Sequence, residues 1–147
     1  MVDVEDDDMN ERMDGRFEQL IAFLGSQLPP PVDQQSEEDG TLIFTGGAPA
    51  EVVVRLSSWR ITVAEFAGIW QSGRFQVKPR RIGTVRWARL PETALMNAVS
   101  ALIKGARDAR LARYRPCAAC GETNPPELLA AGGVCPPCSE PNAFRVH

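Results

Sequence analysis

Histidine is almost absent from this chain of 147 residues, in which His147 is the only one. Hydrolytic zinc sites and Cys or Ser nucleophiles normally use histidine as a ligand or as a base. A glycine-rich loop that could cradle phosphate is also missing, because Gly46-Gly47 is too short for one. We therefore expect no enzymatic activity and no catalytic residues.

Long apolar runs are missing too. No stretch approaches the roughly 18 consecutive apolar residues of a transmembrane helix, although 44% of the residues are hydrophobic. The first residues, Met1-Val-Asp-Val-Glu-Asp-Asp-Asp8, are acidic, whereas a secretory signal begins with basic residues. The sequence predicts a folded cytoplasmic protein that does not bind membranes.

Charge is distributed unevenly along the chain. The net charge is only −3, but residues 1–54 carry 13 acidic and 2 basic side chains, and residues 55–115 carry 13 basic and 3 acidic ones. Such asymmetry is typical of proteins that bind a polyanion. It also allows the acidic arm to fold over the basic region.

Cysteine occurs only as two pairs near the C-terminus, in the pattern C-x2-C-x14-C-x2-C. This spacing predicts one structural Zn²⁺ with four thiolate ligands, which leave no open position for water or substrate. An iron–sulfur cluster or another metal, and free thiols or disulfides, are the alternatives. Gly121 occupies a knuckle position that favours positive φ. The predicted ligands are Cys117, Cys120, Cys135 and Cys138.

The elements predict an α+β fold, in which a small mixed domain of short antiparallel strands and a long helix leads into a C-terminal zinc finger. An apolar stripe from Met13 to Leu28 predicts an amphipathic helix in front of this domain. The predicted boundaries are a disordered acidic arm at 1–10, the amphipathic helix at 11–28, a linker at 29–40, the α+β domain at 41–115, the finger at 116–140 and a tail at 141–147.

Within the domain, strands are predicted at 41–45, 51–56, 74–78 and 82–90. Thr62 and Glu65 have the spacing of a capping box and predict a short helix over 63–72. Pro91 predicts the start of a long helix that continues to about Tyr114. Asn124-Pro-Pro-Glu127 predicts a further helical turn between the cysteine pairs, with Leu128 and Leu129 packing against the metal site.

The segment 74–89 interleaves cations with Phe75 and Trp87. Cations neutralise phosphates and aromatic rings stack on bases, so nucleic-acid binding is one interpretation. A solvated basic sheet face over an aromatic core, with Trp87 buried, is another, and an acidic protein partner is a third. The candidate nucleic-acid contacts are Arg74, Lys78, Arg80, Arg81, Arg86, Arg89, Lys104, Arg107 and Arg110.

Residues 110–140 resemble a small bacterial four-cysteine finger of the DksA/TraR type, in which a helix enters a CxxCG knuckle and a Pro- and Leu-containing segment precedes the second CxxC. That resemblance implies an RNA polymerase partner. The knuckles are also similar to the treble clef of HNH-type nucleases, but those enzymes need histidines that this chain lacks. Both resemblances are specific for zinc and unspecific for function.

Two functional hypotheses follow. The first is a non-enzymatic zinc-binding module that contacts DNA, RNA or a nucleoprotein or transcription complex through its basic surface. The alternative is a structural adaptor whose N-terminal helix docks on a partner protein or on a second copy of the chain.

Overall fold

The computed structural model describes residues 3–129 and 132–139 of the chain. It confirms a mixed α+β fold with an antiparallel sheet, a long helix and a C-terminal cysteine cluster. None of the helices in these two ranges is long and apolar enough to cross a membrane. The elements in chain order are α1 (Asp3–Gln27), β1 (Val32–Ser36), β2 (Leu42–Gly47), β3 (Ala50–Leu56), β4 (Ile61–Glu65), β5 (Gly68–Gln71), β6 (Arg74–Val77), β7 (Arg80–Val85), α2 (Glu92–Ala112), β8 (Arg115–Pro116), β9 (Thr123–Asn124) and α3 (Pro136–Ser139), with 3₁₀ turns at Trp87–Arg89 and Pro126–Leu128.

The main sheet has five antiparallel strands in the order β1-β2-β3-β4-β7. The hairpin β5–β6 is inserted between β4 and β7 and forms a sheet of its own. Its turn is Ser72-Gly73, where both residues have positive φ, as a two-residue hairpin of the primed type requires. The sheet therefore has a continuous face on each side, with the hairpin as an appendage at the end of β4.

Both long helices lie on one face of the main sheet, which we call the helix face. Leu20, Leu24 and Leu28 are at most 3% exposed and join a core that includes inward residues of β2 to β4. The core is completed from α2 by Leu95, Val99, Ile103 and Ala106. Because side chains alternate along a strand, the residues between the core positions form the opposite, open face.

The described part of the N-terminal region differs from the prediction in two ways. The helix begins at Asp3 rather than at residue 11. The proposed linker contains β1, which pairs with β2 through Val32 opposite Gly46. The other four residues of β1 are exposed. As an edge strand, β1 is held in the sheet by backbone hydrogen bonds and does not need apolar side chains.

The predicted helix over 63–72 is wrong. Thr62 and Glu65 belong to β4, where Thr62 lies opposite Arg55 of β3 and Thr84 of β7. The capping-box pattern is a local signal, and pairing on both sides of β4 outweighs it. The strand predicted at 82–90 also ends early, at Val85, and continues as the 3₁₀ turn.

Trp87 follows that shortened strand and is 1% exposed. Its Nε1 donates to the carbonyl of Ser57 at 2.9 Å, and its ring lies 6.0 Å from that of Phe17. The interpretation of Trp87 as a core residue is therefore confirmed, and this ring cannot stack on a ligand.

Candidate metal centre and basic surfaces

The four cysteine sulfurs converge on one point. All of them lie within 4.8 Å of one another, and the Sγ atoms of Cys120 and Cys135 are 3.7 Å apart. Four thiolates at ~2.3 Å from one tetrahedral ion would be separated by ~3.8 Å. The cluster can therefore hold a metal ion as the cysteine spacing predicts.

The backbone explains why the sulfurs meet. In the first knuckle Gly121 donates to the carbonyl of Cys117 at 2.9 Å, with the positive φ of 80° that favours glycine. The short strands β8 and β9 close this knuckle into a hairpin. Ala118 donates to Gly133 at 2.8 Å and joins the first knuckle to the segment that leads to Cys135.

Backbone N–H groups surround the sulfur of Cys117. The N–H groups of Cys135, Cys120 and Ala119 lie 3.3, 3.5 and 3.3 Å from it and lower the pKa of this thiol to about 6. The hydrogen bond with Cys135, burial and the other nearby sulfurs raise the pKa of Cys138 to about 12. Without a cation, crowded sulfurs disfavour several thiolates at once, and a bound metal ion relieves that repulsion.

The finger, by which we mean residues 115–129 and 132–139, is attached to the domain through Glu127. Arg110 of α2 donates from both terminal nitrogens to the Glu127 carboxylate, with Nη1 at 2.9 Å from Oε2. Its Nε donates to the carbonyl of Ala50 in β3 at 3.0 Å. Trp70 of the hairpin β5–β6 donates to the Glu127 carbonyl at 3.0 Å. One residue of the finger thus meets the helix and the hairpin.

The segment after Pro125 matches the prediction in its helical turn but not in the packing of Leu128. The predicted helical turn is present as the 3₁₀ turn Pro126–Leu128, but Leu128 is 40% exposed. The apolar side chain is not needed to fix the finger, because the Arg110–Glu127 ion pair supplies the contact.

Three arginines at the C-terminal end of α2, spaced by three residues, each lie beside a carboxylate: Arg107 and Arg110 belong to the helix, and Arg113 directly follows it. Arg107 lies 3.5 Å from Glu51, and Arg110 pairs with Glu127. Arg113 donates to the buried Glu65 at 3.1 Å. These acids belong to β3, the finger and β4. The basic end of the helix therefore joins these three elements through ion pairs, which we call the arginine clamp.

Arg110 therefore does not fit the predicted set of nucleic-acid contacts. Its side chain is 2% exposed, between the rings of Phe66 and Tyr114 at 5.1 and 5.2 Å. Three further members of the set carry partners, since Arg80 lies 3.5 Å from Glu65, Lys104 is paired with Asp108, and Arg107 lies beside Glu51 as described above. A paired or buried cation has little charge to offer to a phosphate.

The structure also divides the predicted set between the two sides of the sheet. Lys104 and Arg107 lie on α2, at a cavity on the helix side that Gln27 and Leu111 also line. Arg81 lines a cavity on the open face together with Val53 and Ala64. Within the described residues, no ion pair involves Arg74, Lys78, Arg81, Arg86 or Arg89.

An aromatic residue that the sequence did not single out lies at the β3–β4 turn. Trp59 is 48% exposed, and the guanidinium groups of Arg60 and Arg86 lie 4.7 and 5.8 Å from its ring. Arg55 on the adjacent open face pairs with Glu37. The available signal was weak: a turn pattern, Ser57-Ser58, followed directly by Trp59-Arg60.

The other predicted aromatic contact, Phe75, is used inside the hairpin. Its ring is 5.4 Å from that of Trp70 and 6.3 Å from that of Phe66. It also covers Gly68, where an added Cβ would come within 2.4 Å of the ring. The aromatic residue that remains available beside the cations is Trp59.

No protein-family model matches this chain, and neither a curated protein nor a solved structure matches it significantly. The comparisons thus give no support to a DksA/TraR-type finger, and the cysteine geometry alone carries the metal assignment. The lone histidine lies outside the described residues.

Proposed function

We propose that this protein is a non-enzymatic, zinc-stabilised module that binds nucleic acid or a nucleoprotein complex. The proposed binding surface is the open face of the sheet, from the end beside the hairpin β5–β6 to the end at the β3–β4 turn. The observation that carries the proposal is Trp59, an exposed ring flanked by Arg60 and Arg86, at the end of a face that also presents Arg81.

The case for zinc rests on the donor set. Four thiolates within 4.8 Å suit a single soft or borderline ion, whereas a cluster with several irons requires more room between its ligands. Four cysteines complete a tetrahedral shell, so the ion would have a structural role. Elemental analysis of purified protein should give one zinc per chain, and iron with visible absorption would contradict this.

The case for a polyanion rests on the cations that lack partners. Arg81, Arg86 and Arg74 have no ion pair among the described residues, in contrast to the arginine clamp on α2. Free guanidinium groups beside an exposed ring are the combination that nucleic-acid surfaces use.

The test is a salt titration of oligonucleotide binding, followed by fluorescence anisotropy. Arg81→Gln and Arg86→Gln should each weaken binding and reduce the slope of log K against log salt by ~0.7–0.9. Lys104→Gln is the matched control, because it removes the same charge from the helix side and should leave the slope unchanged. Absence of binding at low salt would refute the proposal.

The adaptor hypothesis places the N-terminal helix on a partner. Leu20, Leu24 and Leu28 of its apolar stripe are packed in the core of the protein itself. A partner would have to use another side of this helix, and no contact of the described residues favours that. The module that binds a polyanion is therefore the function we propose.

A further inference from the structure

Two depressions on the open face form one continuous path. The larger, about 530 Å³, lies between the sheet and the hairpin end, and the smaller, about 160 Å³, lies at the β3–β4 turn. Arg55 and Thr62 line both of them. A ligand could thus extend along β4 from the hairpin end to Trp59, which lines the smaller depression.

The larger depression has an apolar floor. Val53 and Ala64 are 6% and 7% exposed although they lie on the face opposite to the core helices. Phe66, Val77 and Pro79 form a wall at the hairpin end. This floor is suited to flat apolar surfaces, which a phosphate backbone alone does not offer.

The polar groups lie at the edges of the path. Arg81 borders the apolar floor, and Arg60 borders the smaller depression beside Trp59. Where the two depressions meet, Thr62 lies beside Arg55, whose charge is paired with Glu37, and Asp39 also lines the smaller depression. The cations without an ion pair among the described residues, Arg81 and Arg60, therefore lie at the two ends of the path, each beside apolar or aromatic surface. A linear ligand in which negative charges alternate with flat rings would match this arrangement of cations and apolar surfaces.

We propose that the open face binds single-stranded nucleic acid, with one base stacked on Trp59 and another against the apolar floor beside Arg81. This inference rests on the proposed function and specifies its ligand. In a duplex the bases are paired and stacked on each other, so their faces cannot reach either surface. In a single strand both faces are free and its phosphates still meet the arginines.

An acidic peptide would satisfy the same charges. It is the less suitable occupant, because carboxylates gain nothing from the exposed Trp59 ring near Arg60 and Arg86, whereas a base can stack on the indole or on a guanidinium plane. Peptide binding is therefore treated as an outcome of the test.

The test compares labelled single-stranded DNA and RNA of mixed sequence with the matched duplexes, using zinc-loaded full-length protein at low salt. Single strands should bind at least about tenfold more tightly. Trp59→Ala should weaken single-strand binding about 5- to 100-fold, and Trp59→Phe should restore most of it. Leu111→Ala is the control, because Leu111 is an exposed apolar residue on the helix side (47% exposed) and lines neither depression.

Each outcome has a distinct meaning. The single-strand inference is overturned if the duplex binds as tightly as the single strand or more tightly. It is also overturned if Trp59→Ala weakens single-strand and duplex binding equally. Both results leave the proposal of nucleic-acid binding intact. Binding of a poly-glutamate peptide but of no oligonucleotide overturns both proposals. Circular dichroism and zinc content should match the wild type in every variant, since Trp59 is an exposed residue.

Discussion

Arg110 of α2 and Glu127 of the finger form a bidentate ion pair that is almost entirely withdrawn from water. The Arg110 side chain is 2% exposed and that of Glu127 12%. Removing one partner would leave the other charge buried and unpaired, which typically costs more than the net stabilisation that the pair provides. The position of the finger on the domain depends on this contact.

Glu127→Gln and Arg110→Met should each lower the free energy of unfolding by ~3 kcal/mol, because each leaves an uncompensated buried group. The double variant Arg110→Met/Glu127→Gln should recover more than half of the summed loss, because it leaves no unpaired charge. Urea unfolding of the zinc-loaded proteins measures this double-mutant cycle. Strictly additive losses would contradict the coupling.

The pH dependence of stability should carry a contribution from the same pair. Burial raises the pKa of the Glu127 carboxyl, but the hydrogen bonds and charge of Arg110 outweigh it, so the pKa lies below the usual value of 4.5. A lowered pKa stabilises the folded state above the unfolded value, and this stabilisation is lost as the pH falls through the folded pKa.

The stability difference between wild type and Glu127→Gln should therefore stay constant from about pH 7 to pH 5 and shrink below about pH 4.5. Urea midpoints of both proteins across this range measure it. Metal content is measured at each pH, because loss of the ion would loosen the finger that carries Glu127 and would by itself shrink the difference. A difference that persists unchanged at about pH 3 would rule out this origin.

Chelation should loosen the finger before the domain. The contacts that join its two knuckles, such as Ala118 to Gly133 and Cys135 to Cys117, depend on the convergence of the sulfurs. Hydrogen exchange should show lost protection at 117–129, with protection retained at β3 and β4. Cys138→Ser should reproduce this effect without a chelator, whereas full protection after chelation would contradict a structural metal.

Leu24 tests whether the N-terminal helix belongs to the domain. It is 0% exposed in the shared core, so Leu24→Ala should lower the free energy of unfolding by ~2–5 kcal/mol. Gln19→Ala, at an exposed position on the same helix, should change it by less than ~0.5 kcal/mol. If thermal or urea unfolding showed equally small effects for Leu24→Ala and Gln19→Ala, the helix would not be part of the core and its apolar side could bind a partner.

The sequence predicts those features that depend on neighbours close along the chain. The convergence of the four cysteines follows from two CxxC turns, and Gly121 has the positive φ that its knuckle position indicates. The helix α2 begins after Pro91 as its N-terminal signal predicts, and its apolar spacing identifies most of its buried face. The strands β2 and β3 follow from short β-branched runs between turns. Each of these signals lies within a few residues of the feature it determines.

Tertiary structure decided the features that depend on distant partners. Thr62 to Glu65 carries a local helix signal, yet it becomes a strand because β3 and β7 pair with it on both sides. The arginines of α2 resemble a basic surface in sequence, but Glu51, Glu65 and Glu127 approach from three separate elements and pair with them. Whether a tryptophan is core or exposed depends on what packs over it, so Trp87 is buried and Trp59 is available. Spacing determined the metal centre, while long-range packing determined which charges and rings reach the surface.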